Sequence, residues 1–117
     1  MEKSFSKFIN LNGSGTPQKD ENGNLLNGLR VFADDYDNGK KTLLLFRNGL
    51  LDGDLFDSKG KFIMQKPAVE GNGHQEYWRE GKLHRDNGEP AVLAEGFSVK
   101  EWWVNGERQQ TPEDSSL

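Results

Sequence analysis

Two histidines, His74 and His84, are the side chains able to exchange a proton near neutral pH. His84 stands in His84-Arg85-Asp86, where a carboxylate two residues on could orient an imidazole as a general base. A base needs a nucleophile or a pocket, and the sequence identifies neither, so the segment reads as a turn. In that turn His84 and Arg85 bond to backbone carbonyls or carboxylates, and Pro90 fixes the exit strand. His74 has no companion at ligand spacing, so a metal site is not expected. Asp34-Asp35-Tyr36-Asp37-Asn38-Gly39 opens like a calcium loop, but Leu45 occupies the twelfth position where such a loop needs a carboxylate. A solvated hairpin loop is expected instead. Gly13-Ser14-Gly15-Thr16-Pro17 lacks the Gly-Lys-Ser/Thr of a phosphate loop and reads as a connector. No catalytic residue and no cofactor is expected, and the chain reads as non-enzymatic.

Residues suited to binding are more evident. Tyr77-Trp78 and Trp102-Trp103 are adjacent aromatic pairs, and Tyr, Trp and Arg carry much of the energy at protein interfaces. Neighbours on a strand point to opposite faces, so one member of each pair is expected in the core and the other toward a partner. Asp52, Asp54 and Asp57 alternate along one segment and suggest an acidic rim that attracts a basic partner surface.

The elements that must position these groups are short strands. The chain has 117 residues, 32% of them apolar and 29% charged, with 14 glycines and no cysteine. Glycine added to the apolar share brings it near the roughly 45 to 50% of an ordinary domain, so glycine stands where core side chains usually do. Eight of the glycines follow asparagine, at Asn12-Gly13, Asn22-Gly23, Asn27-Gly28, Asn38-Gly39, Asn48-Gly49, Asn72-Gly73, Asn87-Gly88 and Asn105-Gly106. Both residues tolerate positive φ, which makes the dipeptide a strong hairpin signal and predicts an all-β meander. The runs 29–33, 42–47, 61–65, 75–79, 91–94 and 99–105 have strand length and composition. The first nine residues fit a helical turn or an edge strand. Gly39 to Gly49, Gly71 to Gly81 and Gly96 to Gly106 span equal intervals, and Phe46, Trp78 and Trp103 each stand three residues before the second glycine. That recurrence predicts hairpin units stacked on one another through a large aromatic.

The formal charge of -4 disfavours nucleic acid as a partner. No apolar run is long enough to span a bilayer and the opening residues lack a secretory apolar region, so a soluble, cytoplasmic protein is expected.

The run from Tyr77 to Val92, with Tyr77-Trp78-Arg79-Glu80-Gly81 followed by His84-Arg85 and Gly88-Glu89-Pro90-Ala91, resembles the MORN-like variant repeats of bacterial and phage proteins. Trp102-Trp103-Val104-Asn105-Gly106 continues the resemblance. It departs from the family pattern at Glu89 and at Gln109-Gln110, where a further His-Arg pair would fall. Looser copies occupy 46–56 and 22–32. The resemblance implies a small curved sheet of antiparallel hairpins over residues 22–110, preceded by a strand or flexible segment (1–21) and followed by a disordered tail (111–117). It also implies scaffolding or binding work, and related sequences are labelled antitoxin-like. The expected function is stoichiometric binding to a protein partner with a basic surface, as an antitoxin, immunity protein or phage-borne inhibitor. Tyr77, Trp78, Arg79, His84, Arg85, Trp102, Trp103, Asp52 and Asp54 are the expected contacts. The alternative is a structural repeat protein that self-associates through open sheet edges.

Overall fold

A computed structural model of the chain describes residues 4–34 and 40–110. The expected disordered tail and the Asn38-Gly39 turn lie outside the described residues, as does most of the acidic loop beginning at Asp34.

One antiparallel sheet dominates. It is built from β1 (Gly28–Asp34), β2 (Lys40–Arg47), β6 (Val69–Gly71), β7 (His74–Glu76), β10 (Val92–Ala94), β11 (Val99–Val104) and β12 (Glu107–Gln109), in that lateral order, with β3 (Leu50–Leu51) paired to β2. Two separate hairpins, β4 (Asp54–Phe56) with β5 (Phe62–Gln65) and β8 (Trp78–Arg79) with β9 (Lys82–Leu83), complete the array. The all-β, antiparallel hairpin character predicted from the glycines is therefore present. The first residues form a single helical turn, α1 (Ile9–Asn12), preceded by an irregular stretch from Ser4.

Strand register explains the thin core. Reading laterally across the sheet, Arg30, Leu44, Val69, Glu76, Val92 and Glu101 form one row of paired residues. Every member of that row from Leu44 to Glu101 is buried. The row beside it, Val31, Leu43, Glu70, Gln75, Leu93 and Lys100, points to the other face and is exposed or half-buried. One face of a single sheet thus holds the core, as the two-residue side-chain period requires. Phe46, Trp78 and Trp103, which the even glycine spacing singles out, all lie in that core with Leu51, Leu83, Ala68 and Ala91.

The units join by a recurring set of bonds at the turns. Asn48-Gly49, Glu80-Gly81 and Asn105-Gly106 each have two successive positive φ angles, the geometry of a hairpin turn that suits the strand twist. In each turn the glycine N–H reaches back to a leucine carbonyl of the preceding unit: Gly49 to Leu26 (2.8 Å), Gly81 to Leu51 (3.0 Å) and Gly106 to Leu83 (2.9 Å). Arg108 stands two residues after its turn glycine, where Leu51 and Leu83 stand after theirs. Glycine is required at the first joint for space as well as φ, because a Cβ on Gly49 would lie 2.7 Å from the Gln18 carbonyl oxygen and 2.9 Å from the Pro17 Cβ.

Gly49→Ala is expected to destabilise the chain by about 2 to 4 kcal/mol, combining left-handed backbone strain with overlap. Gly60→Ala is expected to lose only about 1 kcal/mol, because Gly60 has a similar φ of +81° but open space around it. Urea unfolding of the two variants beside the parent chain checks the difference.

Candidate functional site

The residues expected to bind or react gather at the junction of β4, β8 and β9. Arg79 lies between two carboxylates. Its Nε donates to Asp54 Oδ2 at 2.5 Å and its terminal nitrogen donates to Asp86 Oδ2 at 2.8 Å. The hydrogen bond to Asp86, more than any other contact, holds the guanidinium proton more tightly than usual. In return Arg79, and after it His84, lower the Asp86 carboxyl to about 2. Asp54 is buried and Asp86 half-exposed, so Arg79 links an inner carboxylate to an outer one across successive units.

His84 is locked at both nitrogens. The Asn105 backbone N–H donates to His84 Nδ1 at 3.0 Å, which requires that nitrogen to carry a lone pair. The ring proton therefore sits on Nε2 and is donated to Asp86 Oδ1 at 2.8 Å; this tautomer is assigned from the hydrogen-bond network. Arg79 approaches the same Nε2 at 2.9 Å, but two N–H groups cannot bond to one another, so that contact is only proximity. Neither nitrogen of this buried ring offers a lone pair to a substrate.

The same job recurs along the chain with different chemistry. Asp52 Oδ2 accepts the Glu80 N–H at 3.2 Å, and Asn27 Oδ1 accepts the Asn48 N–H at 2.7 Å. Asn27, Asp52 and His84 each directly follow the leucine whose carbonyl holds the next turn's glycine. Each caps the first N–H of that turn. Asp52 is buried beyond this role, and desolvation pushes its carboxyl up despite the Asp54 N–H and the Arg47 guanidinium that oppose the shift.

These positions correct the expected acidic rim. Asp52 and Asp54 are both buried, engaged by backbone N–H groups, Arg47 and Arg79, so neither projects toward a basic surface. Of the two aromatic pairs, the first differs from expectation and the second divides as expected. Tyr77 and Trp78 are both in the core, because the strand breaks between β7 and β8 at Tyr77 and adjacent residues there no longer alternate. Arg85 lies over the Tyr77 ring, 3.8 Å from its centroid, and completes the cover. Trp103 is buried, whereas Trp102 is half-buried with its indole N–H on the Gly88 carbonyl at 2.9 Å. Trp102 and Arg85 line a surface hollow of about 250 Å³ with Glu89 and Gln109. Of the nine expected contacts, Arg79, Arg85 and Trp102 keep partial exposure.

Sequence reasoning missed a second cluster. Glu76 and Glu101 are fully buried, and each accepts an indole N–H from the tryptophan two residues later: Trp78 to Glu76 and Trp103 to Glu101, both at 2.9 Å. His74 also bonds to Glu76, at 2.7 Å. The recurrence of Glu-Tyr-Trp and Glu-Trp-Trp at equivalent places was the available signal. Among the described residues no group of three or more His, Asp or Glu side chains is arranged to hold a metal ion. No helix there is long and apolar enough to cross a membrane.

Comparisons with protein-family models, with curated proteins and with solved structures found no match.

Two outcomes follow from the corner. His84→Ala leaves the buried end of the Asn105 N–H without its acceptor and is expected to cost about 1 to 3 kcal/mol. His84→Asn places the acceptor type found at Asn27 in the same role and is expected to recover part of that loss, both read from thermal or urea midpoints. The Asp86 carboxyl is depressed from its ordinary 3.8 to about 2. Its contribution to stability is therefore complete above about pH 4 and lost as the pH falls through about 2. Asp86→Asn should flatten the acid limb of the stability profile in that window, by about 1 kcal/mol or less because Asp86 is half-exposed and screened. Burial of Asp52 acts in the opposite sense, so the difference between variant and parent isolates Asp86.

Proposed function

We propose that the chain is a non-catalytic binding domain that recognises another protein by stoichiometric contact, in the manner of an antitoxin, immunity protein or phage-borne inhibitor acting in the cytoplasm. The observation that carries this reading is the β4–β5 hairpin. It stands apart from the main sheet and leaves Phe56, Phe62, Ile63 and Met64 exposed, with Ile63 at 58% and Met64 at 50%. A two-stranded hairpin is marginal by itself, and exposed large apolar side chains, three of them bordering one hollow, mark it as an interaction surface.

The surroundings support a polar rim to that patch. Phe62, Ile63 and Met64 border a hollow of about 420 Å³ that Arg85, Asp86, Asn87 and Glu89 also line. Arg47 lies over Phe56 at 5.0 Å and Arg79 over Phe62 at 5.7 Å, holding both rings at the turn end of the hairpin. An apolar centre with a charged margin is the usual anatomy of an interface. Exposed Glu89, together with the overall charge of -4, favours a partner with basic groups around its apolar contact. The engagement of both His84 nitrogens supports a non-catalytic reading of the motif corner.

A second reading rests on a different surface. Leu29 and Val31 on β1 pair across the strands with Leu45 and Leu43 on β2, and Leu29, Val31 and Leu43 are exposed. Since β1 is also the end of the sheet, this corner suits self-association. Light scattering of the intact protein separates the two, with a dimer mass that Val31→Lys abolishes supporting the second.

Ile63→Lys combined with Met64→Glu is expected to leave the thermal midpoint within about 1 kcal/mol, since both residues are exposed. The same change should reduce capture of the partner by at least tenfold, whereas Val31→Lys should leave capture intact. Equal capture by the Ile63/Met64 variant would remove the hairpin from the reading.

A further inference from the structure

The stretch Ser4 to Lys7 crosses the buried face of the sheet without joining it as a strand. The Ser4 hydroxyl donates to Glu101 Oε1 at 2.7 Å and the Phe5 N–H to Glu101 Oε2 at 2.6 Å. Two residues later the pattern repeats: the Ser6 hydroxyl donates to Glu76 Oε1 at 2.7 Å and the Lys7 N–H to Glu76 Oε2 at 2.7 Å. Each carboxylate therefore binds one Ser-x dipeptide through a hydroxyl and the following amide. The tryptophan indole N–H donates to the same Oε1 that accepts the serine hydroxyl.

The next step along the segment follows the same order. Glu101, Glu76 and Leu44 occupy the same lateral row of the sheet. The residue two beyond Ser6 is Phe8, which packs on the core cluster that contains Leu44 and meets the Phe32 ring edge-on at 5.7 Å. Phe5 and Lys7, between these positions, are exposed. Glu101 and Glu76 thus read alternate residues, Ser4 and Ser6, with side-chain contacts for specificity and amide contacts for registration, and the backbone then bends at Phe8 into α1 as its ring enters the core.

We infer that Glu101, Glu76 and the core beside them form a peptide-binding site for a Ser-x-Ser-x-apolar segment, held in cis by residues 4–8 and open to the same kind of segment from a partner protein. The site uses none of the exposed residues of the β4–β5 hairpin, so its test and that of the hairpin fail independently. Tethering gives the internal segment an effective concentration near the millimolar range, so it outcompetes a dilute free peptide of equal fit.

The test is the full chain carrying Ser4→Asp and Ser6→Asp, which sets carboxylates against Glu101 and Glu76 and expels the segment by like-charge repulsion. The probe is the acetylated peptide Ser-Phe-Ser-Lys-Phe-Ile, followed by tryptophan fluorescence because Trp78 and Trp103 share the same carboxylates. Saturable one-to-one binding to the variant is expected, at least tenfold tighter than to the parent chain, together with at least tenfold weaker binding of the peptide Asp-Phe-Asp-Lys-Phe-Ile. A cooperatively folded variant that does not bind the serine peptide, or that binds both peptides equally, overturns the proposal. Amide exchange on the parent chain tests it without any substitution. The Phe5 and Lys7 amides must exchange at least tenfold faster than the Val92 amide of the sheet, and equal protection would mark the segment as fixed core and overturn the proposal.

Discussion

A tight turn with two positive φ angles brings backbone N–H groups close together at the end of a hairpin, and in this chain those groups face the neighbouring unit. The whole array depends on giving them acceptors. The preceding unit supplies a leucine carbonyl for the glycine N–H and a side chain for the N–H before it. A buried amide without a partner costs on the order of 1 to 3 kcal/mol. Three such joints therefore decide how the hairpins stack, and the aromatic three residues before each glycine fills the space that the joint creates.

Seen from that joint, the motif corner loses its catalytic look. Asn27, Asp52 and His84 differ in charge and chemistry but share a single ability, to present an acceptor at the start of the next turn. An imidazole used this way must keep its proton on the distal nitrogen, and Asp86 takes that proton's hydrogen bond. Arg79 then bridges Asp86 and Asp54, so the polar groups around the corner bond to one another.

Much of the fold was legible because turn chemistry is local. Asn-Gly pairs at 48, 72 and 105 close hairpins between strands that pair in register. The Glu80-Gly81 turn escaped notice because glutamate seldom adopts φ of 49°. The strand at 75–79 was read as continuous, yet it breaks at Tyr77, and that break is what lets both members of an adjacent aromatic pair enter the core. The acidic rim was misread for a related reason. Aspartates after a turn look solvated in a sequence, and only the register shows Asp52 and Asp54 facing the next unit. The contacts of Glu76 and Glu101 with Ser4 to Lys7 were illegible because they span some 70 and 97 residues of the chain. Composition and periodicity do not report contacts of that range.

The place where a further joint would form carries a different residue. At the three joints the carbonyl that receives the glycine N–H belongs to Leu26, Leu51 or Leu83, and of these Leu51 and Leu83 are sealed in the core. In the corresponding place after the Asn105-Gly106 turn stands Arg108, about a quarter exposed and near Glu101. To add another hairpin on β12 by the same joint would mean enclosing a guanidinium where the earlier joints enclose an isobutyl group, with the desolvation cost that entails. The sheet is thus directional, with apolar side chains at its β1 end and a charge at its β12 end. Growth by stacking like upon like is discouraged on one side only, so a head-to-tail filament of these domains would have to bury that charge at every contact.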